Sequence, residues 1–231
     1  GGNVKLLANI ETDAAFVINN TVVLDLNGFN VKTTVNDTVG DGVFHVVAGG
    51  DLTINGNGEI NGVGGNNYCI AIWADGGKVV INGGTFTNVG AGEDTQYDLI
   101  YVKNGGSVEI NGGTFIAQTP KWTINVHDTK GGTVVVNAGS FYAYNPSASE
   151  SENPVANFAV GKCVNLVDGY YVVTEHIYTY ACDKACAVCY EITRPEAEHA
   201  IVHVDAVPAT CTATGNTEYW YCSYCGYAWA D

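Results

Sequence analysis

Short runs in which apolar and polar residues alternate, each closed by glycine, recur along the first three quarters of the chain. The clearest is Gly-Gly-Lys-Val-Val-Ile-Asn-Gly-Gly-Thr-Phe at residues 76–86. It returns as Gly-Gly-Ser-Val-Glu-Ile-Asn-Gly-Gly-Thr-Phe at 105–115 and, loosened, as Gly-Gly-Thr-Val-Val-Val-Asn-Ala-Gly-Ser-Phe at 131–141. Weaker copies lie at 49–56 and 22–28. The asparagines of these copies are Asn27, Asn55, Asn82, Asn111 and Asn137, separated by 28, 27, 29 and 26 residues. Self-similarity at such a period marks a solenoid, propeller or array. The runs are too short for helices and alternate with period two, so each copy predicts strands joined by glycine turns. Stacked coils of a parallel β-helix are the expected fold.

Stacking places equivalent residues of successive coils about 4.8 Å apart. Val79 and Ile81 should then face inward and Val80 and Asn82 outward. Phe86, Phe115 and Phe141 should form one interior aromatic column. The asparagines should form a ladder at a corner, where Asn tolerates left-handed backbone, and the glycine pairs should supply positive φ. One coil cannot bury its own apolar face, so stability has to come from neighbour-on-neighbour contact. Residues 155–173 read as a last, degenerate coil.

The pattern changes at about residue 175, where glycine-rich β repeats give way to Cys, His and aromatics. The domains expected are a β-helix at 1–174 and a Cys/His-rich module at 175–231, the latter in two units, about 175–197 and 198–231. The first unit reads His176, Cys182, Cys186 and Cys189; the second reads His199, Cys211, Cys222 and Cys225. Each has one His followed by three Cys and ends in a Cys-x2-Cys pair. Such a pair on a tight turn presents two thiolates to one ion, and Cys3His is a common structural zinc set. A segment this short holds too little core to fold unaided, so a metal or crosslinks are expected. Zinc at two sites is the expected cofactor. Three disulfides are the alternative in an oxidising compartment, and His203 is an alternative ligand to His199. Cys69 and Cys163 lie about three coils apart, too far for a disulfide, and are expected as small buried residues.

Composition narrows the function classes. The chain of 231 residues has 24 acidic against 9 basic residues and a net charge of −15. Nucleic acid and anionic membrane surfaces both need basic patches, so neither is an expected partner. Glycine, at 29 residues, suits a turn-rich solenoid. There is no methionine and no signal-like or membrane-spanning run, so the chain reads as a segment of something longer.

The repeats of the first 175 residues resemble the right-handed parallel β-helix (pectate-lyase-like) repeats of bacterial surface and secreted proteins. The tail resembles short Cys-rich repeats of large surface proteins of Gram-positive, often gut-dwelling, bacteria. That pattern runs through Ala181-Cys182-Asp183, Cys186, Val188-Cys189 and Arg194. It continues through Ala209 to Thr212, Gly215-Asn216, Glu218 to Cys222 and Cys225-Gly226. The position after Cys189 is usually Gly in such repeats and is Tyr190 here. The resemblance implies an all-β, right-handed solenoid with a zinc-ribbon-like tail, displayed extracellularly or at a cell surface. It says little about activity, because β-helices host lyases, hydrolases, adhesins and phage fibres alike.

The sequence motifs weigh against an enzyme. The Asn-Thr-Asp, Asp-Asp and Gly-His-Gly motifs of galacturonase-like enzymes do not occur, and the only arginine, Arg194, lies in the tail. The remaining polar constellation is Asp75, Asp98, Lys103, His127 and Asp128. Tyr68, Trp73, Tyr97, Tyr101, Trp122, Tyr142 and Tyr144 offer rings that could stack on sugars. Trp73, Tyr101 and Trp122 are the candidate ligand-binding residues. The expected function is a non-catalytic structural or adhesive segment of a surface protein or filament. Its expected partners are glycans, other surface proteins or copies of itself. The alternatives are a polysaccharide-active β-helix enzyme and a phage or virion appendage.

Overall fold

The computed structural model describes all residues except 34–41, 64–68, 91–97, 153–154, 181, 196–198 and 231. The chain divides into two compact units, Gly1–Glu175 and His176–Asp231. Among the described residues the only helical element is a single 3-10 turn, Pro120–Trp122. Tyr68, Tyr97 and most of the polar excursions between coils fall outside the described residues.

The first unit is a parallel β-solenoid whose chain visits three sheets in a fixed order. Sheet I contains Gly2–Lys5, Thr21–Asp25, Asp51–Asn55, Lys78–Ile81, Ser107–Ile110 and Thr133–Val136. Sheet II contains Ile10–Thr12, Val31–Thr33, Glu59–Asn61, Thr85–Thr87, Thr114–Ile116 and Gly139–Tyr142. Sheet III contains Phe16–Ile18, Phe44–Val47, Ile72–Asp75, Ile100–Lys103 and Ile124–Val126. All of these pair in parallel, each strand with its own counterpart one coil away.

The register follows the repeat. Val79 pairs with Leu52 and Val108, and Ile81 pairs with Ile54 and Ile110. All of these side chains are buried. Phe86, Phe115 and Phe141 are register partners on sheet II, fully buried, with ring centroids 5.0 and 4.7 Å apart. The Asn row is hydrogen-bonded side chain to side chain. Asn82 Nδ2 donates to Asn55 Oδ1 at 2.8 Å, Asn111 to Asn82 at 3.1 Å, and Asn137 to Asn111 at 2.8 Å. Asn82 and Asn111 each both donate and accept along the stack, so the ladder opposes any slip between coils.

Two details of the repeat differ from expectation. The row ends on Asp25, the register partner of Asn55, not on Asn27. Asn27 lies two residues on, at φ 50°, and donates to the Leu6 carbonyl. The ladder asparagines themselves keep negative φ; positive φ falls on the first glycine of the pairs that open the repeats, as at Gly76 (79°) and Gly105 (80°), and on the second glycine of the pairs that follow Asn82 and Asn111, Gly84 (94°) and Gly113 (108°). The second glycine of the opening pairs has a different task. A methyl at Gly132 would run into the carbonyl oxygen of Gly106 one coil below. Close coil contact, not φ, demands glycine there.

The two ends of the stack differ. At its start, Val4, Leu6, Ile10, Phe16, Ile18 and Val22 line an apolar hollow. At its other end the degenerate coil expected at 155–173 is replaced by an antiparallel hairpin. Cys163–Val167 pairs with Tyr170–Thr174, which pairs antiparallel with Gly139–Tyr142. The two-residue turn Asp168-Gly169 has positive φ at both positions, 50° and 83°. Such a turn matches the strand twist and folds the chain straight back, so the parallel winding stops.

In the second unit Ile201–Val204, Tyr219–Cys222 and Ala228–Trp229 form a three-stranded antiparallel sheet. Arg194 ties the segment before it. Its guanidinium lies 3.5 Å from the Tyr178 ring centroid and donates to the Tyr180 and Asp183 carbonyls.

Phe115→Ala should remove one ring from the continuous column and leave a cavity that the coils above and below cannot close. A loss of about 3–5 kcal/mol is expected, read as a lower urea midpoint at unchanged slope.

Candidate metal centres and the outward face of sheet III

The six tail cysteines and two histidines assemble around turns. Cys222 and Cys225 flank a turn in which the Gly226 N–H donates to the Cys222 carbonyl at 2.8 Å, with Gly226 at φ 72°. Cys186 and Cys189 flank the same construction, with the Tyr190 N–H donating to the Cys186 carbonyl at 3.0 Å and Tyr190 at φ 61°. Tyr190 therefore takes the left-handed position that Gly fills in the other turn.

These turns gather two groups of donors. Cys182, His199, Cys222 and Cys225 bring four ligand atoms within 4.8 Å of one another. Cys182 Sγ lies 3.9 Å from Cys222 Sγ, and Cys225 Sγ lies 3.5 Å from His199 Nδ1. In the other group, His176, Cys186 and Cys189 come together within the same limit, with Cys189 Sγ 3.4 Å from His176 Nδ1. A tetrahedral ion with bonds of about 2.0–2.3 Å sets its N and S donors about 3.4–3.8 Å apart. The spacings match that geometry, and none of the eight cysteines is bonded to another.

The grouping departs from two consecutive units. Cys182 leaves His176, Cys186 and Cys189 and joins the donors from the second half of the tail. Cys211 is exposed and stands outside both groups. Equal counts of one His and three Cys per unit made consecutive units the simplest reading, but spacing cannot show which turns pack together. Between the two candidate histidines the structure favours His199. His203 instead bonds Glu218 at 2.7 Å and stacks on Trp220 at 4.9 Å.

Two of the thiols are electrostatically prepared to lose protons. Burial pushes Cys186 up, but the N–H groups of Cys189 and Val188 and the His176 ring outweigh it and bring the thiol down to about 5. Cys222 is likewise raised by burial, then lowered further by the Cys225 and Tyr224 N–H groups and His199, to about 6. Burial, then the neighbouring Cys225 and Cys222, push Cys182 up to about 12. A cation supplies the charge that a third thiolate needs.

Of the polar constellation expected from the sequence, Asp75 and Lys103 are register partners on sheet III, and Asp98, His127 and Asp128 lie just beyond the ends of its strands. His45, Trp73, Tyr101 and Asn125 are successive register partners there. His45 and Trp73 stack at 4.0 Å with ring planes 3° apart, and Tyr101 follows at 6.1 Å. Asp75 accepts from Asn104 Nδ2 at 2.5 Å and lies 3.0 Å from His45 Nε2. Lys103, the register partner of Asp75, lies over the Tyr101 ring at 5.9 Å. Trp122 is apart from this column, on the 3-10 turn, with Lys121 over its ring at 5.2 Å. The three candidate ligand-binding rings thus do not form one open platform.

Asp98 is different. It is 6% exposed, and burial, reinforced by the nearby Glu152 against the Asn125 hydrogen bond, raises its carboxyl to about 8. Asn125 Nδ2 donates to Asp98 Oδ2 at 3.2 Å and to Glu152 Oε1 at 3.1 Å. Asp98 Oδ1 has no hydrogen-bond partner; among the described residues only Trp73 Nε1 shares that state. Beside it, His127, Asp128 and Glu152 bring three donor atoms within 4.8 Å of one another. Glu152 and Asn125 carried no motif, so nothing in the sequence marked them.

Two outcomes are expected. Tyr190→Gly should stabilise the protein by about 1 kcal/mol, since the exposed Tyr pays for left-handed backbone and Gly does not; thermal melting reads it. Asp98 holds its proton to higher pH in the folded chain than in the unfolded one, so its stabilising effect is lost as pH rises from about 4 through about 8. Asp98→Asn should therefore flatten the pH dependence of the urea midpoint across that window.

Comparison of the chain with family models, with curated proteins and with solved structures gives no match.

Proposed function

We propose that this chain is a non-catalytic scaffold segment of an extracellular or cell-surface assembly, with a tail folded around two structural zinc ions. The observation that carries the scaffold reading is how the repeated side chains are used. Asn bonds Asn, Phe packs on Phe, and the sheet III rings stack on one another along the coils. Groups spent on their own counterparts hold register and are not free to act on a substrate. Acid–base work needs a group within hydrogen-bond reach of the reacting atom. Asp75, Lys103 and His127 already engage neighbouring side chains or backbone. The excess of acidic residues suits a solvated surface segment.

The zinc reading rests on the donor chemistry. Soft thiolates with one imidazole select zinc over hard cations. Four protein donors leave no open position in the Cys182 group, which is the hallmark of a structural site. The His176 group supplies one imidazole and two thiolates from the tail.

Elemental analysis should find about two zinc ions per chain. Cys222→Ser should lose about one of them, and Cys211→Ser should keep both. Metal-free protein with blocked tail thiols would overturn the zinc reading. Incubation with pectins, alginates and host-type glycans should release neither unsaturated nor reducing ends. Release of either would replace the scaffold with an enzyme.

A further inference from the structure

After its last strand in sheet II the chain folds across to sheet III through residues 144–152. The base of this segment is firm. Tyr144 Oη donates to Ser149 Oγ at 2.7 Å, with both side chains buried, and Ser149 and Ala156 exchange backbone hydrogen bonds of 2.9 Å. Its far end is fastened through Glu152 alone among the described residues. Asn125 Nδ2 donates to Glu152 Oε1 at 3.1 Å, and the Glu152 N–H donates to Asn125 Oδ1 at 3.3 Å. Glu152 Oε2 accepts the Asp128 N–H at 3.3 Å.

The same Asn125 nitrogen also donates to Asp98 Oδ2 at 3.2 Å. One amide therefore joins two carboxyl groups, Asp98 buried and Glu152 exposed. The surroundings of Asp98 hold no compensating charge. The neighbouring coil presents apolar Ile70 and Ala71. Lys121, on the adjacent 3-10 turn, lies over the Trp122 ring. Beyond Glu152 stand His127 and Asp128, 3.0 Å apart and paired with each other. Among the described residues no Lys or Arg forms an ion pair with Asp98 or Glu152. A neutral Asp98 suits this place. An ionised one would be a buried charge with a single donor, an unpartnered Oδ1 and a second carboxylate on the same amide. The coil is locked by its ladders, so the exposed Glu152 is the part able to yield.

We propose that Asp98, Asn125 and Glu152 form a pH-sensitive latch, in which neutral Asp98 leaves Glu152 held on Asn125 and ionised Asp98 releases it. Burial, against the Asn125 hydrogen bond and with Glu152 adding to it, holds the Asp98 carboxyl at about 8 while the latch is closed. Release admits water and returns the carboxyl toward its ordinary range. A group whose proton is held more tightly in the closed state stabilises closure at low pH. That contribution drains away as pH rises from the ordinary carboxylate range to about 8, and is constant above it. The latch lies apart from the thiolate groups and stands whether or not the scaffold reading holds.

Amide hydrogen exchange, followed by NMR on the full chain, tests it. The Glu152 and Asp128 N–H groups report on the latch, because each is bonded across it. Their protection factors, which remove the intrinsic pH dependence of exchange, should fall by up to about tenfold per pH unit as pH rises and level off at about 8. Low urea should leave them unchanged, since release exposes little surface, while it lowers the protection of the Ile110 amide, which opens only with the coil. Asp98→Asn should abolish the fall. In the unaltered chain the Asp98 carboxyl carbon should titrate at the pH where the fall ends, which decides the matter if Asp98→Asn does not fold. Protection independent of pH, a fall that persists in Asp98→Asn, a carboxyl titration that does not coincide with its end, or latch amides as sensitive to urea as Ile110 would each overturn the proposal.

Discussion

The contact on which the first unit depends is that of one coil with the next. Every interior strand of sheets I, II and III gives its backbone groups to its own counterpart, in parallel and in register. Buried backbone groups must find partners, and here those partners are copies of the same segment. The side chains repeat the arrangement, with asparagine amides bonded in a row and three phenylalanine rings stacked. The glycine at the second position of the corner pairs lets the coils approach. A Cβ at Gly132 would collide with the backbone below, so the stack would have to open at that corner.

The end of the winding follows from local chemistry as well. Asp168 and Gly169 both adopt left-handed backbone and return the chain antiparallel to itself. An antiparallel pair cannot continue a parallel spiral, so the hairpin terminates it. At the start of the stack, Val4, Leu6, Ile10 and Phe16 are among the apolar residues that line a hollow.

The tail solves a different problem. A segment of this size buries too little to be held by packing alone. It gathers thiol and imidazole donors from separate turns, beside a three-stranded sheet and the contacts of Arg194. Because Cys182 belongs with the later cysteines, the two halves of the tail are interlocked and are not beads on a string. Turn amides and the histidine rings lower the proton affinity of Cys186 and Cys222.

The repeat by itself determined the coil, its period, which residues face inward and the aromatic column, because these depend only on local alternation and on identical segments meeting. Composition and spacing likewise marked the tail as a thiol- and imidazole-rich module. The sequence did not reveal that Cys211 stands apart, that Cys182 crosses to the second group, or that residues 155–173 turn back. It also gave no sign of Asn125 and Glu152, or of the orphaned oxygen of Asp98. The reason is physical. Period and propensity act between near neighbours, whereas a ligand set or a buried carboxyl is defined by which distant segments come within a few ångströms, and only the folded chain fixes that.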